Sequence, residues 1–348
     1  MTERIRRGCL TALILCLLCL TAGCRDDVEV KWVTGLGPGE LFRVEDKSCT
    51  EAEARLFLMN QKNRYEASYG ENIWRIPVEE ESFAGYMKKK LEIFLSQLKC
   101  MAVMAEKREI TLSEEEKKQA AAAAGEYLSS LDEDAAAYVG LSEEALTRLY
   151  QEYRLADLLV RQVTAAAGGE ISDDEARVIE VQQIVFPREK QGEDGSLLPL
   201  TDSETQTLRA EAAEAAERAA GGDSFANLQE VYSSEKAGSI QVSRYDVEKE
   251  WEQAVFALGS GEVSGVIETE GAFYVVRCVR NLIPDLTAAN KEVIRQRRSA
   301  ALFYQEYDAF VKDLLILSDA EKWKKFSFES EVPDTSVDFY AIYDKYFS

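Results

Sequence analysis

Histidine is absent from this 348-residue chain. Its absence excludes a Ser-His-Asp triad and a Cys-His pair as catalytic machinery, and it removes the commonest protein ligand of zinc. Cysteine is scarce beyond position 24, where Cys49, Cys100 and Cys278 are scattered without CxxC spacing. Because Cys100 and Cys278 lie in apolar runs, their positions favour small core residues over a redox pair.

Basic residues are outnumbered, with 41 lysines and arginines against 63 aspartates and glutamates and a formal net charge of −22. This excess of negative charge argues against nucleic acid as a partner, because phosphates are bound by lysine and arginine. It also argues against direct binding to an anionic membrane surface. The glycine cluster at 35–39 predicts a loop and no phosphate site, since no strand precedes it and no GK[ST] follows.

Long uncharged runs are missing as well, and the longest spans the 17 residues between Arg7 and Arg25. This length is short for a helix that must cross a hydrocarbon core of about 30 Å. The run follows a basic N-terminus and ends in small residues at 21–23, directly before Cys24. This order is typical of a secretory signal peptide.

Cys24 stands at the expected cleavage point and resembles the lipid-modified cysteine of a bacterial lipobox, although the usual leucine is one position early, at Leu20. We therefore predict a signal peptide over 1–23, a lipid anchor at Cys24 and a location on the extracytoplasmic face of the cell membrane. An uncleaved N-terminal anchor is the alternative. Either way, the rest of the chain would work outside the cytoplasm, tied to a membrane.

The mature chain begins, on this interpretation, with a tether over 24–47 and a helical domain over 48–170. A capping box is predicted at Ser48–Glu51 and a helix start at Ser113, with Gly140 as the end of that helix. Apolar residues recur at helical spacing through this region.

The sequence pattern changes over 176–282, where short segments rich in β-branched residues alternate with segments of helical spacing. The pattern predicts a compact α+β domain with 187–199 as a polar loop. Its predicted strands are 178–186, 263–269 and 272–280, and its predicted helices are 201–220, 224–232 and 247–258.

Helical spacing returns over 285–326, with an apolar seam from Ala300 to Leu317 that needs a partner helix. We expect this segment to complete the helical domain, and we leave 327–348 as an unassigned tail. The predicted fold class is α+β: a helical domain with an inserted small α+β domain and a returning C-terminal helix.

Five short motifs follow one another inside the insert. They are V-x-x-I-V at 181–185, G-x-x-F-x-x-L at 222–228 with a following Tyr-Ser, W-E-x-A-x-F-x-L at 251–258, G-E-V-S at 261–264 and the hairpin 269–276. Together they resemble a parvulin-type (PpiC-type) peptidyl-prolyl cis–trans isomerase domain. The domain order resembles a PrsA/SurA-type foldase lipoprotein, which implies unfolded or newly secreted client proteins as partners.

The resemblance also implies a site. Gln183 and Tyr274 stand at the family's two histidine positions, and Glu235 stands where the family has Asp or Cys. These three are the implied catalytic positions, in degenerate form. The implied substrate-binding positions are Ile240, Val247, Trp251 and Thr269. The implied reaction needs no nucleophile, cofactor or metal.

Three functional hypotheses remain open at this point. The first is a lipid-anchored foldase with isomerase activity, and the second is a holdase chaperone that only binds unfolded or extended clients. The third is a solute-binding lipoprotein, for which two lobes of repeated β-α units would be expected. No sequence feature indicates an oligomeric state.

Replacing Cys24 by alanine should abolish lipid labelling and release the protein from the membrane fraction. The physical reason is that two acyl chains at this residue would supply stable anchoring, whereas one chain binds membranes only marginally. Labelled-lipid incorporation and cell fractionation measure both effects, with Cys19→Ala as the matched control. Unchanged labelling and retention in Cys24→Ala would show that Cys24 carries no anchor.

Overall fold

The computed structural model describes residues 35–165, 169–192, 195–245 and 247–348. The predicted signal peptide and Cys24 lie outside the described residues. Contacts divide the described residues into two units: unit 1 comprises those up to 165 and those over 299–348, and unit 2 comprises those from 169 to 298. Both units combine helices with antiparallel sheets, and the predicted α+β class is confirmed.

The strands and helices are numbered in chain order. The strands are β1 (Glu40–Val44), β2 (Lys47–Thr50), β3 (Pro77–Val78), β4 (Glu81–Ser82), β5 (Val178–Pro187), β6 (Glu189–Gln191), β7 (Leu197–Pro199), β8 (Ser239–Ser243), β9 (Ile267–Glu268), β10 (Ala272–Arg280) and β11 (Ile316–Ser318). The helices are α1 (Glu51–Tyr69), α2 (Phe83–Lys107), α3 (Glu114–Ser130), α4 (Glu133–Val139), α5 (Glu143–Ala165), α6 (Asp173–Ala176), α7 (Asp202–Ala220), α8 (Phe225–Tyr232), α9 (Lys249–Val255), α10 (Pro284–Val311), α11 (Ala320–Trp323) and α12 (Phe339–Phe347), with a 3₁₀ helix at Glu71–Arg75.

The start of unit 1 differs from its prediction as a tether. β1 lies between β11 and β2 in an antiparallel sheet, with Phe42 opposite both Ser318 and Cys49. The predicted capping box at Ser48 is wrong by two residues, because Ser48 belongs to β2. The box is formed by Thr50 and Glu53, which satisfy each other's free backbone N–H groups at the start of α1.

The end of unit 1 also differs. The predicted tail contains α12, whose Phe339 is fully buried and stacks on Tyr150 with ring centroids 4.3 Å apart. Phe339 also meets Phe57 edge-on at 5.0 Å. The aromatic residues of this segment therefore belong to the core, where such ring pairs add to the free energy of burial.

The apolar seam predicted from Ala300 to Leu317 is helical only as far as Val311, since Leu317 pairs with Arg43 in the β11–β1 ladder. The first part of α10 lies in unit 2, where the Thr287 hydroxyl accepts a hydrogen bond of 3.0 Å from the backbone N–H of Val178. Residues 285–298 thus pack with the insert, unlike their prediction as part of the helical domain.

Unit 2 is built on a four-stranded antiparallel sheet with the order β8-β5-β10-β9. One face packs against α7 and α8, and the other packs against α9. The predicted helix over 201–220 is confirmed as α7, which begins with a capping box of Thr201 and Glu204, and the predicted strands β5 and β10 are confirmed. The edge strand β8 was not predicted, and the predicted loop 187–199 contains the β6–β7 hairpin.

Cys49, Cys100 and Cys278 are buried free thiols. Within the described ranges, no helix combines the length and apolarity needed to cross a bilayer. The same part of the chain contains no group of three or more Cys, Asp or Glu side chains arranged to hold a metal ion.

A buried ion cluster lies in the core of unit 1. Lys99 is 1 % exposed, and its ammonium donates to Glu53 Oε1 at 2.8 Å and to Glu152 Oε2 at 2.5 Å. Burial alone would lower the pKa of Lys99, but the two carboxylates outweigh it and raise that pKa. The lysine is therefore held as a cation between α1 and α5.

Replacing Lys99 by methionine should lower the free energy of unfolding by about 3–5 kcal/mol, because it leaves two buried carboxylates without their cation. Urea denaturation of the mature protein measures the change. The control is Lys117→Met, which removes an exposed pair with Glu114 and should cost less than about 1 kcal/mol. Equal, small effects of both substitutions would contradict a stabilising role for the cluster.

Candidate functional site

The register of β5 and β10 brings two of the predicted site residues to one face of the sheet. Gln183 lies opposite Val276, and Tyr274 lies opposite Val185. Because side chains alternate along a strand, Gln183 and Tyr274 are diagonal neighbours on the face that carries α9. The alternate residues form the core with α7 and α8 on the other face.

A cavity of about 590 Å³ opens beside this pair. All of its lining residues belong to unit 2. They are Gln183, Ile240, Val242, Tyr245, Val247, Glu248, Trp251 and Tyr274. Five of the seven residues implied by the sequence thus line a single pocket, while Glu235 and Thr269 lie outside the lining.

Apolar side chains form one wall of the pocket. Trp251 projects from α9 and is 4 % exposed, so its ring is fixed by packing against the sheet. Ile240 and Val242 are two positions apart in β8 and therefore lie on the same face of that strand, and Ile240 is 44 % exposed. The wall therefore combines a rigid aromatic base with an aliphatic edge that remains open to solvent.

Gln183 is held in place by Glu235. The side-chain amide of Gln183 donates to Glu235 Oε2 at 3.0 Å. The chain after α8 positions this carboxylate, because Ser233 Oγ accepts hydrogen bonds from the backbone N–H groups of both Val185 and Glu235, at 3.1 and 3.2 Å. Glu235 thus acts on the pocket through Gln183.

Gln229 is a supporting residue that the sequence analysis missed. It is 2 % exposed, and its amide donates to the backbone carbonyls of Gln183 and Gly238 at 2.9 and 3.0 Å. These bonds join α8 to β5 and to the residue that precedes β8. In the sequence, Gln229 is a polar residue in a helix that has one apolar face. This pattern fits a solvent-exposed side chain as well as a buried one that supports the site.

Tyr274 is kept in its protonated form. Burial raises the pKa of its hydroxyl above the ordinary value of 10, and the nearby carboxylates of Glu248 and Glu235 raise it further. The side chain of Thr269 hydrogen-bonds to Tyr274 and opposes this shift. At neutral pH, Tyr274 therefore lines the pocket as an uncharged group that can both donate and accept hydrogen bonds.

Thr269 shapes the hairpin between β9 and β10. Its buried hydroxyl exchanges hydrogen bonds with the backbone of Ala272, with the N–H donating at 3.2 Å and the carbonyl accepting at 3.1 Å. Its contact with the pocket runs through Tyr274, which differs from the substrate-binding position implied by the sequence.

Tyr245 and Glu248 are lining residues that the sequence analysis did not name. Glu252 on α9 fixes this segment, since its carboxylate accepts from the Tyr245 backbone N–H at 2.8 Å and from Arg244 Nη1 at 3.2 Å. Tyr245 adopts a left-handed backbone with φ of 68°. The sequence signal was their position beside Val247 and Trp251, which alone does not specify side-chain direction.

Comparison with known proteins adds a family to this geometry. Residues 187–293 match the family model of the PPIC-type PPIASE domain. No curated protein matches the chain.

Solved structures similar to the chain include the peptidylprolyl isomerase PrsA of Bacillus anthracis, at 17 % identity and a TM-score of 0.32, covering 63 % of this chain and 95 % of that one. PrsA of Bacillus cereus gives 15 % identity and a TM-score of 0.37 over 87 % and 96 % of the two chains. A SurA-like chaperone of Campylobacter jejuni gives 10 % identity and a TM-score of 0.29 over 81 % and 99 %.

These structural similarities are too low to support an inference about function. The family match covers most of unit 2, including β8, α9 and β10, and seven of the eight lining residues of the pocket lie within it. Unit 2 therefore contains a parvulin-type domain of the PPIC peptidyl-prolyl cis–trans isomerase family, as the sequence motifs predicted.

Proposed function

We propose that this protein is a lipid-anchored extracytoplasmic foldase that binds unfolded or newly secreted clients. In this proposal the pocket of unit 2 holds X-Pro segments of the client and accelerates their isomerisation weakly. The single observation that supports it is the pocket itself, in which the apolar wall of Ile240, Val247 and Trp251 faces the polar pair Gln183 and Tyr274.

The chemistry required of such a pocket is limited. Rotation about a peptide bond meets a barrier of about 18–20 kcal/mol, because the C–N bond has partial double-bond character. An X-Pro bond isomerises in tens to hundreds of seconds without help, which is slow enough to delay folding. A catalyst needs to bind the twisted amide more tightly than the planar one.

Each side of the pocket suits one part of this task. The apolar wall would take the proline ring, since burying apolar surface favours binding by about 25 cal/mol per Å². The twisted amide loses its resonance, so its nitrogen lone pair becomes a hydrogen-bond acceptor. The protonated hydroxyl of Tyr274 is a donor on the polar side, and Gln183 can orient the neighbouring carbonyl.

The same residues explain why we expect weak catalysis. The side-chain amide of Gln183 already donates one hydrogen bond to Glu235, and Tyr274 is uncharged at neutral pH. The uncharged side chains of Gln183 and Tyr274 on the polar side of the pocket offer ordinary hydrogen bonds, which are about half as strong as charge-assisted ones. Ground-state binding of an extended prolyl segment depends mainly on the apolar wall and is less affected.

Replacing Ile240 by threonine should weaken binding of a prolyl tetrapeptide by about fivefold to tenfold, because it removes apolar surface from the wall while keeping a β-branched side chain in β8. Isomerisation of the peptide should slow in parallel. Calorimetric titration and exchange-type NMR on the mature protein measure the two effects.

The matched control is Leu282→Thr, since Leu282 is 43 % exposed against 44 % for Ile240 and does not line the pocket. It should leave both quantities unchanged. Undetectable binding by the wild-type protein would contradict the proposal. Binding without any turnover, together with suppression of client aggregation, would favour the holdase alternative.

A further inference from the structure

The pocket has an acidic side with no basic counterpart. Glu248 is the one charged side chain among the eight lining residues, and that set contains no lysine or arginine. A second carboxylate, Glu235, adjoins the pocket through its bond from Gln183. Both carboxylates are close enough to raise the pKa of Tyr274, so their fields overlap at the polar side of the pocket.

Neither carboxylate is neutralised by the surrounding described residues. Within the ranges that the structure describes, every lysine or arginine ion pair within 4.0 Å involves other acidic side chains. Arg244, which directly follows β8, is held by Asp174 at 3.0 Å and by Glu252 at 3.2 Å. Lys249 follows Glu248 in the sequence but is not part of the lining.

The Glu248 side chain also does not cap its own helix. It occupies the N-cap position of α9, yet its side chain makes no capping hydrogen bond. It lies between Val247 and Trp251 in the chain, and both of these form the apolar wall. A residue next to a proline ring held by that wall would therefore come within reach of the Glu248 carboxylate.

We infer that the pocket selects prolyl segments in which a residue adjacent to the proline is lysine or arginine, with Glu248 as the specificity-determining contact. This inference rests on the proposed function, because it assumes that the pocket binds X-Pro segments. Complementary charge at a partly exposed site adds modest affinity and suppresses partners of like charge. An acidic residue beside the proline would be disfavoured for the same reason.

The test uses the mature protein and four tetrapeptides that differ in the residue before proline: Lys, Arg, Leu and Glu. At low salt we expect the Lys and Arg peptides to bind about threefold to fivefold tighter than the Leu peptide, and the Glu peptide to bind most weakly. A second set varies the residue after proline. Glu248→Gln should bring the ratio of the Lys and Leu affinities close to one, because the carboxylate that favours the cationic side chain is removed.

The control is Glu250→Gln, which removes the same charge from an exposed position on α9 outside the pocket and should keep the preference. Equal affinities for Lys and Leu peptides in the wild-type protein would overturn the inference and leave the proposed function standing. Equal loss of preference in both variants would also overturn it, because net charge would then be the cause. Failure of every peptide to bind would refute the proposed function itself.

Discussion

The antiparallel pairing of β5 with β10 is the constraint on which the site depends. Its register sets Gln183 opposite Val276 and Tyr274 opposite Val185, so both polar residues face α9. On the opposite face, Ile184 and Phe273 pack with α7 and α8. A shift of one residue would turn the core residues towards the pocket and bury the polar ones, so the hydrophobic core enforces the geometry of the site.

The pocket combines an apolar wall that suits a proline ring with a polar side made without histidine. Its hydrogen-bonding groups are a carboxamide and a phenol, supported by Glu235 and Thr269. A phenol is protonated in the range where an imidazole would titrate, and burial raises the pKa of Tyr274 further above that range. Under the proposed function, binding would depend on the wall and catalysis on the polar side, so the two could be separated by substitution.

Sequence patterns predicted those parts of the fold that local interactions determine. The helix that begins after Thr201 and the β-branched strand β5 are examples, because each depends on neighbouring residues. The edge strand β8 escaped prediction, since three of its five residues are polar and only its pairing with β5 makes it a strand. β11 escaped for a related reason, because it pairs with β1 some 270 positions away and no local pattern encodes that pairing. The family motifs included residues of the apolar wall and of the polar side, but not Tyr245, whose backbone N–H is held by Glu252, nor Glu248.

The central claim is that the lack of histidine on the polar side of the pocket limits catalysis while the pocket still binds prolyl segments. Substituting histidine for Gln183 and Tyr274 tests this claim most directly. The measurement is kcat/KM for isomerisation of a prolyl tetrapeptide by the mature wild-type protein and by Gln183→His/Tyr274→His, with the peptide Kd determined for both. The account predicts a Kd within about twofold and a rise in kcat/KM of about tenfold or more in the double variant, because only the transition state gains from the new floor. Rapid turnover by the wild-type protein that the double substitution lowers would contradict it, since the carboxamide and phenol would then be the effective catalytic groups.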